Sequence, residues 1–71
     1  MKSALDLKLI AQAGANLVVE ATTYSALDLK MVASALTSGA KLTVKKADSL
    51  SALVCKLIAS AAPWRVTFDF S

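Results

Sequence analysis

Histidine is absent from this 71-residue sequence, and it holds only one cysteine, one proline, two glycines and one tryptophan. Each shortage removes a class of chemistry. One thiol cannot form a disulfide within the chain. Without imidazole, and with a single thiol, a four-ligand zinc site cannot be assembled inside one copy. Ser–His and Cys–His nucleophilic pairs are excluded on the same ground. The acids are few as well: Asp6, Glu20, Asp28, Asp48 and Asp69. Two of them suit helix starts and two a row of sheet charges, which leaves no carboxylate pair for general acid–base work. Nor is there a run of about 18 apolar residues that could cross a membrane, because Lys30, Lys56 and other polar residues interrupt every candidate. The Met1-Lys2 start with Ala11-Gln12-Ala13 has the outline of a signal peptide, but Asp6 and Lys8 stand where its apolar region should be. A cytoplasmic chain is therefore expected, with no membrane partner.

Apolar residues are abundant: 56% of the sequence is hydrophobic and 18% charged, which places the chain among folding rather than disordered sequences. Eight basic residues against five acids give a net charge of +3. That balance permits attraction to nucleic acid or acidic surfaces without demanding it. The length suits one small domain spanning 1–71. Such a domain buries only about 60% of the surface its unfolded chain exposes. Disulfides, metals or association usually compensate. With the first two excluded, association is expected.

The sequence repeats itself. Ser3-Ala4-Leu5-Asp6-Leu7-Lys8-Leu9-Ile10-Ala11 returns as Ser25-Ala26-Leu27-Asp28-Leu29-Lys30-Met31-Val32-Ala33, and again as Ser51-Ala52-Leu53-Val54-Cys55-Lys56-Leu57-Ile58-Ala59. Each copy leads into a short alternating segment: Asn16 to Glu20, Lys41 to Lys45, and Arg65 to Phe70. The units run over about 3–22, 25–47 and 48–71. A spacing of roughly 22 to 26 residues is that of stacked supersecondary units. The first half of each unit reads as helix, with Ser3 and Ser25 as N-caps and Asp6 and Asp28 three residues on. In the third unit Val54 replaces that Asp, and Asp48-Ser49 offers an earlier start. Gly14, Gly39 and Pro63 mark helix ends. The second halves alternate apolar and polar with β-branched and aromatic residues, as strands do.

The order αβαβαβ predicts the α/β class: a three-stranded parallel sheet with right-handed crossovers and helices on one face. Three αβ repeats in sequence order would form a short solenoid-like layer. In plan this resembles the helix-containing leucine-rich repeats, but their Leu-x-x-Leu-x-Leu-x-x-Asn motif is absent and no functional residues follow from the resemblance. The competing fold is a compact α/β domain with a different strand order.

Strand alternation sends Leu17, Val19, Leu42, Val44, Val66, Phe68 and Phe70 toward the helices. The other face then shows the rows Asn16–Lys41–Arg65, Val18–Thr43–Thr67 and Glu20–Lys45–Asp69. The last alternates in sign, and each opposite-charge neighbour is worth roughly 0.2–1 kcal/mol. On the helices, advancing 100° per residue, Lys8 and Gln12 share one narrow polar arc with their counterparts Lys30, Ser34, Lys56 and Ser60. Nearly everything else is apolar, so Leu9, Ile10, Met31, Val32, Leu57 and Ile58 are expected in the core.

Two groups of candidate site residues result. Lys8, Lys30 and Lys56 occupy one repeat position and form a possible anion-facing column, better explained as a solvated face than as a phosphate contact. Val54, Cys55, Trp64 and Phe70 cluster in the third unit and are the candidates for self-association: two depart from the repeat and two add large apolar area. Cys55 on its own reads as a small buried apolar residue. No cofactor, metal or catalytic residue is expected. The predicted function is a non-enzymatic, self-associating structural or protein-interaction module. Its partners would be further copies of itself, most simply in a dimer, or another protein. The alternative is a small basic regulatory binder of nucleic acid or an anionic ligand.

Overall fold

A computed structural model describes residues 3–70; Met1, Lys2 and Ser71, including the start weighed above as a leader, lie outside the described residues. The elements are α1 (Ala4–Gln12), β1 (Leu17–Glu20), α2 (Ala26–Ala35), β2 (Leu42–Lys45), a 3-10 turn (Ala47–Ser49), α3 (Ala52–Ala61) and β3 (Val66–Phe68). The class is α/β, with three helices and one three-stranded parallel sheet in the order β1-β2-β3.

Each helix begins the same way. Ser3, Ser25 and Ser51 have extended backbones, and their Oγ atoms accept from the N–H groups of Asp6, Asp28 and Val54 at 3.2, 3.1 and 3.2 Å. A serine cap of this kind is worth about 1 kcal/mol over alanine. In the third unit the start is therefore Ser51, not the Asp48-Ser49 pair that the sequence offered. Those residues lie in the 3-10 turn, while the Ser51 carbonyl accepts the first helical bond from Cys55. The helix ends differ more. Gly14, at φ +99°, follows the C-cap of α1 directly. By contrast α2 stops at Ala35, and Gly39, at φ +87°, serves the later turn into β2.

The register pairs Leu17 with Leu42 and Val66, Val18 with Thr43 and Thr67, and Val19 with Val44 and Phe68. These are the rows that the alternation predicts. Glu20 stands opposite Lys45, and the ladder continues beyond β3, where Asp69 N–H donates to Val44 O at 2.8 Å. At the other end of the sheet Lys41 N–H donates to Asn16 Oδ1 at 2.8 Å. The charge row is modified in one respect. The Glu20 carboxylate pairs with Lys46 Nζ, 3.4 Å away. Lys46 follows β2 in a left-handed conformation, φ 56° and ψ 35°, which interrupts the strand alternation and returns its side chain to the Glu20 side.

The core lies between the sheet and the helices. Leu29, Leu42, Ile58, Val32 and Val44 are its largest fully buried side chains. Among the described residues no polar or charged side chain is buried. Leu17, Val66 and Phe68 are half-buried against this core, and Met31 is half-buried. Three of the expected core residues are not in it: Leu9, Ile10 and Leu57 are exposed. Leu7 and Leu29 take their place. Ile10 is equivalent to the buried Val32 and Ile58 but has no preceding helix to cover it among the described residues; for Leu9 and Leu57 the reason is helical geometry. Positions four, seven and eight residues after each capping serine fall within about 100° of one another and face the sheet. Positions two and six residues after it fall on the far side. That side carries Leu5, Leu27 and Leu53, with Leu9 and Leu57 one turn on, and all five are exposed. The apolar arc of these helices is thus wider than the sheet and neighbouring helices can cover.

Burial along the layer shows which flank meets which. Ala11 and Ala33 are fully buried and Ala59 only half. In the opposite sense, Val32 and Ile58 are buried while Ile10 is 36% exposed. Each helix thus turns its alanine flank to the following helix and its β-branched flank to the preceding one. Alanine at the contact allows the close approach on which α1–α2 and α2–α3 packing rests.

Candidate functional site

The expected self-association residues do not all fall on one surface. Val54 is half-buried, packs against the core, and lines a furrow between α2 and α3 with Ala26, Leu27, Lys30 and Leu57. It belongs to the β-branched flank of α3, which faces α2, and so drops out of the free end. Cys55 stays. It holds the position of the buried Leu7 and Leu29 but is itself a half-buried free thiol, because among the described residues no helix packs on the far side of α3. With Ala59 it forms a small-residue strip along the free flank.

Trp64 is the outlier. Its side chain is 99% exposed, and its backbone is left-handed at φ 69°. Gly14 and Gly39 make the left-handed step three residues before the first residue of their strands; Pro63 stands in that column before Val66. Proline is locked near φ −65°, so the positive φ passes to the next residue. Proline in a glycine column was the signal in the sequence that placed the strain on Trp64. The ring borders a shallow depression with Lys56, Ala59, Ser60 and Pro63, at the end of the free flank of α3. Beyond the edge strand, Phe70 is 57% exposed, with its ring centroid 6.1 Å from that of Phe68.

β3 is itself an edge. Leu42 N–H donates to Arg65 O, and Asp69 N–H to Val44 O, both at 2.8 Å. Residues 65 and 69 therefore turn their backbone groups toward β2. By alternation Val66 and Phe68 turn theirs away, to the open side. Unpaired groups of that kind form a template for another strand. The Arg65 side chain is not merely a member of the open-face row. Its Nη1 donates to Leu36 O at 3.2 Å and Thr37 O at 2.8 Å, closing carbonyls at the C-terminal end of α2. A cation there also complements the helix dipole.

The lysine column is divided among separate places. Lys8 and Lys30 line one furrow between α1 and α2, together with Gln12, Leu27, Met31 and Ser34. Lys56 lies in the depression beside Trp64. Ser34 and Ser60, which share the polar arc, donate their hydroxyls to the carbonyls of Lys30 and Lys56 at 2.9 and 2.8 Å. Among the described residues no group of three or more His, Cys, Asp or Glu side chains could hold a metal ion, and no helix is long and apolar enough to cross a membrane. Comparison of this chain with protein-family models, with curated proteins and with solved structures finds no match.

Proposed function

We propose that this chain is a non-enzymatic, self-associating structural or protein-interaction module, built as a short solenoid-like layer of three αβ repeats. The observation that carries the reading is Trp64. The turn into β3 accounts for the left-handed step but not for its being taken by a fully solvated indole, which adds nothing to the isolated fold, and an exposed residue kept under strain points to a role there. Tryptophan is also the residue type most enriched among the anchors of protein interfaces. Ala59 borders Trp64, and the same unit carries the half-buried Cys55, the edge strand β3 and, beyond that strand, the exposed Phe70. Another copy of the chain is the partner that needs nothing further.

Sedimentation equilibrium over a concentration series, read together with Trp64 emission, tests the reading. The average mass should rise with concentration while the emission moves to shorter wavelength as the indole is covered. A constant monomer mass up to high micromolar concentration refutes it. The second reading, a small basic binder of nucleic acid or an anionic ligand, draws on Lys8 and Lys30 sharing one furrow. Binding of an oligonucleotide that weakens steeply with salt would single it out.

A further inference from the structure

We infer that the module pairs through β3, antiparallel to β3 of a second copy, about a two-fold axis that passes beside Thr67. This rests on the self-association reading above and names its surface and register. In an antiparallel pair, residues whose backbone groups point at the partner exchange hydrogen bonds, and those between them sit closer without bonding. Val66 and Phe68 are the outward-pointing residues of β3, as the bonds of Arg65 and Asp69 to β2 require. An axis at Thr67 pairs Val66 with the second copy's Phe68, in the bonded position. Thr67 then faces its own counterpart, and Arg65 faces the second copy's Asp69. Aromatic with β-branched, threonine with threonine, and opposite charges are the cross-strand pairs that stabilise sheets. Shifting the axis to Val66 or Phe68 keeps the backbone bonding but sets Arg65 opposite Thr67 or a residue beyond Phe70, and the charge match is lost. The Arg65 guanidinium has five N–H groups, of which Nη1 supplies those to Leu36 and Thr37; Nε and Nη2 face no such demand from these two carbonyls.

The alternatives are weaker on the same count. The edge strand β1 carries one charge, Glu20, so pairing it with itself joins no opposite charges. Head-to-tail stacking, with β1 of one copy continuing the sheet beyond β3 of another, is favoured by the free alanine flank of α3 and by the exposed Ile10 of α1. In the existing register, however, it puts Glu20 beside Asp69, acid against acid. It also brings a second α1 to the place that Trp64 borders with Ala59 and Ser60, where the earlier units have the small residues Ala15 and Ala40. The two-fold contact is closed and ends at a dimer.

The test uses the whole chain. Thr67→Cys in a Cys55→Ala background should form an intermolecular disulfide under mild oxidation, since a non-bonded antiparallel pair lies within disulfide reach; Val18→Cys in the same background, on β1, should not. Asp69→Arg should raise the dimer dissociation constant about tenfold or more, because two attractive pairs become repulsive ones, while far-UV circular dichroism stays unchanged. Adding Arg65→Asp should recover most of the loss; the cross-link stands as a measure independent of Arg65, whose replacement also touches the end of α2. A monomer at every concentration overturns both this pairing and the self-association it rests on. A mass that grows without limit, with no cross-link at Thr67, overturns the two-fold pairing in favour of head-to-tail stacking. A dimer that neither cross-links nor responds to Asp69→Arg overturns the β3 pairing alone and moves the contact to another face.

Discussion

Replacing Trp64 with glycine should make the monomer more stable, although it deletes the largest side chain in the protein. The indole is 99% exposed, so its removal forfeits almost no buried area. What it relieves is the backbone at φ 69°. A left-handed conformation costs an L-residue about 1–2 kcal/mol. Against this, glycine gives the unfolded chain more freedom, worth about 0.4–1 kcal/mol. Taken between the middles of these ranges, the net expectation is about 0.8 kcal/mol in favour of Trp64→Gly. In a domain of this size 1 kcal/mol shifts the melting midpoint by about 4–8 °C, so the gain should be about 3–6 °C. Trp64→Ala is the control: it removes the ring, keeps Cβ and keeps the strain, and should move the midpoint little. Thermal unfolding followed by far-UV circular dichroism needs no tryptophan signal and serves all three proteins. It should be run at two concentrations, because association adds stability by mass action. At low concentration the order should be glycine above alanine and wild type. At high concentration both variants should lose the concentration dependence that wild type shows. A glycine variant no more stable than the alanine variant at low concentration would refute the reasoning, since the strain would then not reside at this residue.

Two residues apart on α2, Leu29 is fully buried and Leu27 is 75% exposed. Leu29→Ala should cost about 2–5 kcal/mol, a large part of the total stability of so short a chain, whereas Leu27→Ala should stay within about 0.5 kcal/mol; equal shifts in urea denaturation midpoints would show that the helix presents a different face. Lys45→Glu places an acid directly opposite Glu20 in the parallel register. It should destabilise modestly and less in high salt, because exposed charges are screened, so a loss indifferent to salt would count against the charge row.

The sheet was legible in the sequence to the level of individual rows. Val18, Thr43 and Thr67 align because strand alternation has a period of two and one buried face leaves a single acceptable phase: a slip by one residue would turn Val19, Val44 and Phe68 to water. The helix starts were equally legible at Ser3 and Ser25, since a cap is a local arrangement of four residues. The third start is open in the sequence between Ser51 and the Asp48-Ser49 pair, which carries the same local signal, and only the position of the strand before it decides which serine begins the helix.

Which helical positions are buried was not decided by the sequence alone. Leucines lie around most of each helix, so the pattern does not say whether Leu7 or Leu9, Leu29 or Leu27, turns to the sheet. Packing chooses, because the sheet and the adjoining helices cover only part of each circumference, and alanine at the contact flank brings the neighbours close enough to bury Val32 and Ile58. The tertiary structure likewise moved Val54 from the free end to the furrow beside α2 and drew the Arg65 guanidinium to Leu36 and Thr37, about thirty residues away in the chain. It also gave the Glu20 carboxylate an ion pair with Lys46, although Lys45 stands opposite Glu20 in the register. The common reason is range. Caps, turns and alternation are set by atoms a few bonds apart and are written in the order of residues. The side of a helix that is covered, and the carbonyl that a long side chain reaches, depend on how separate elements approach one another.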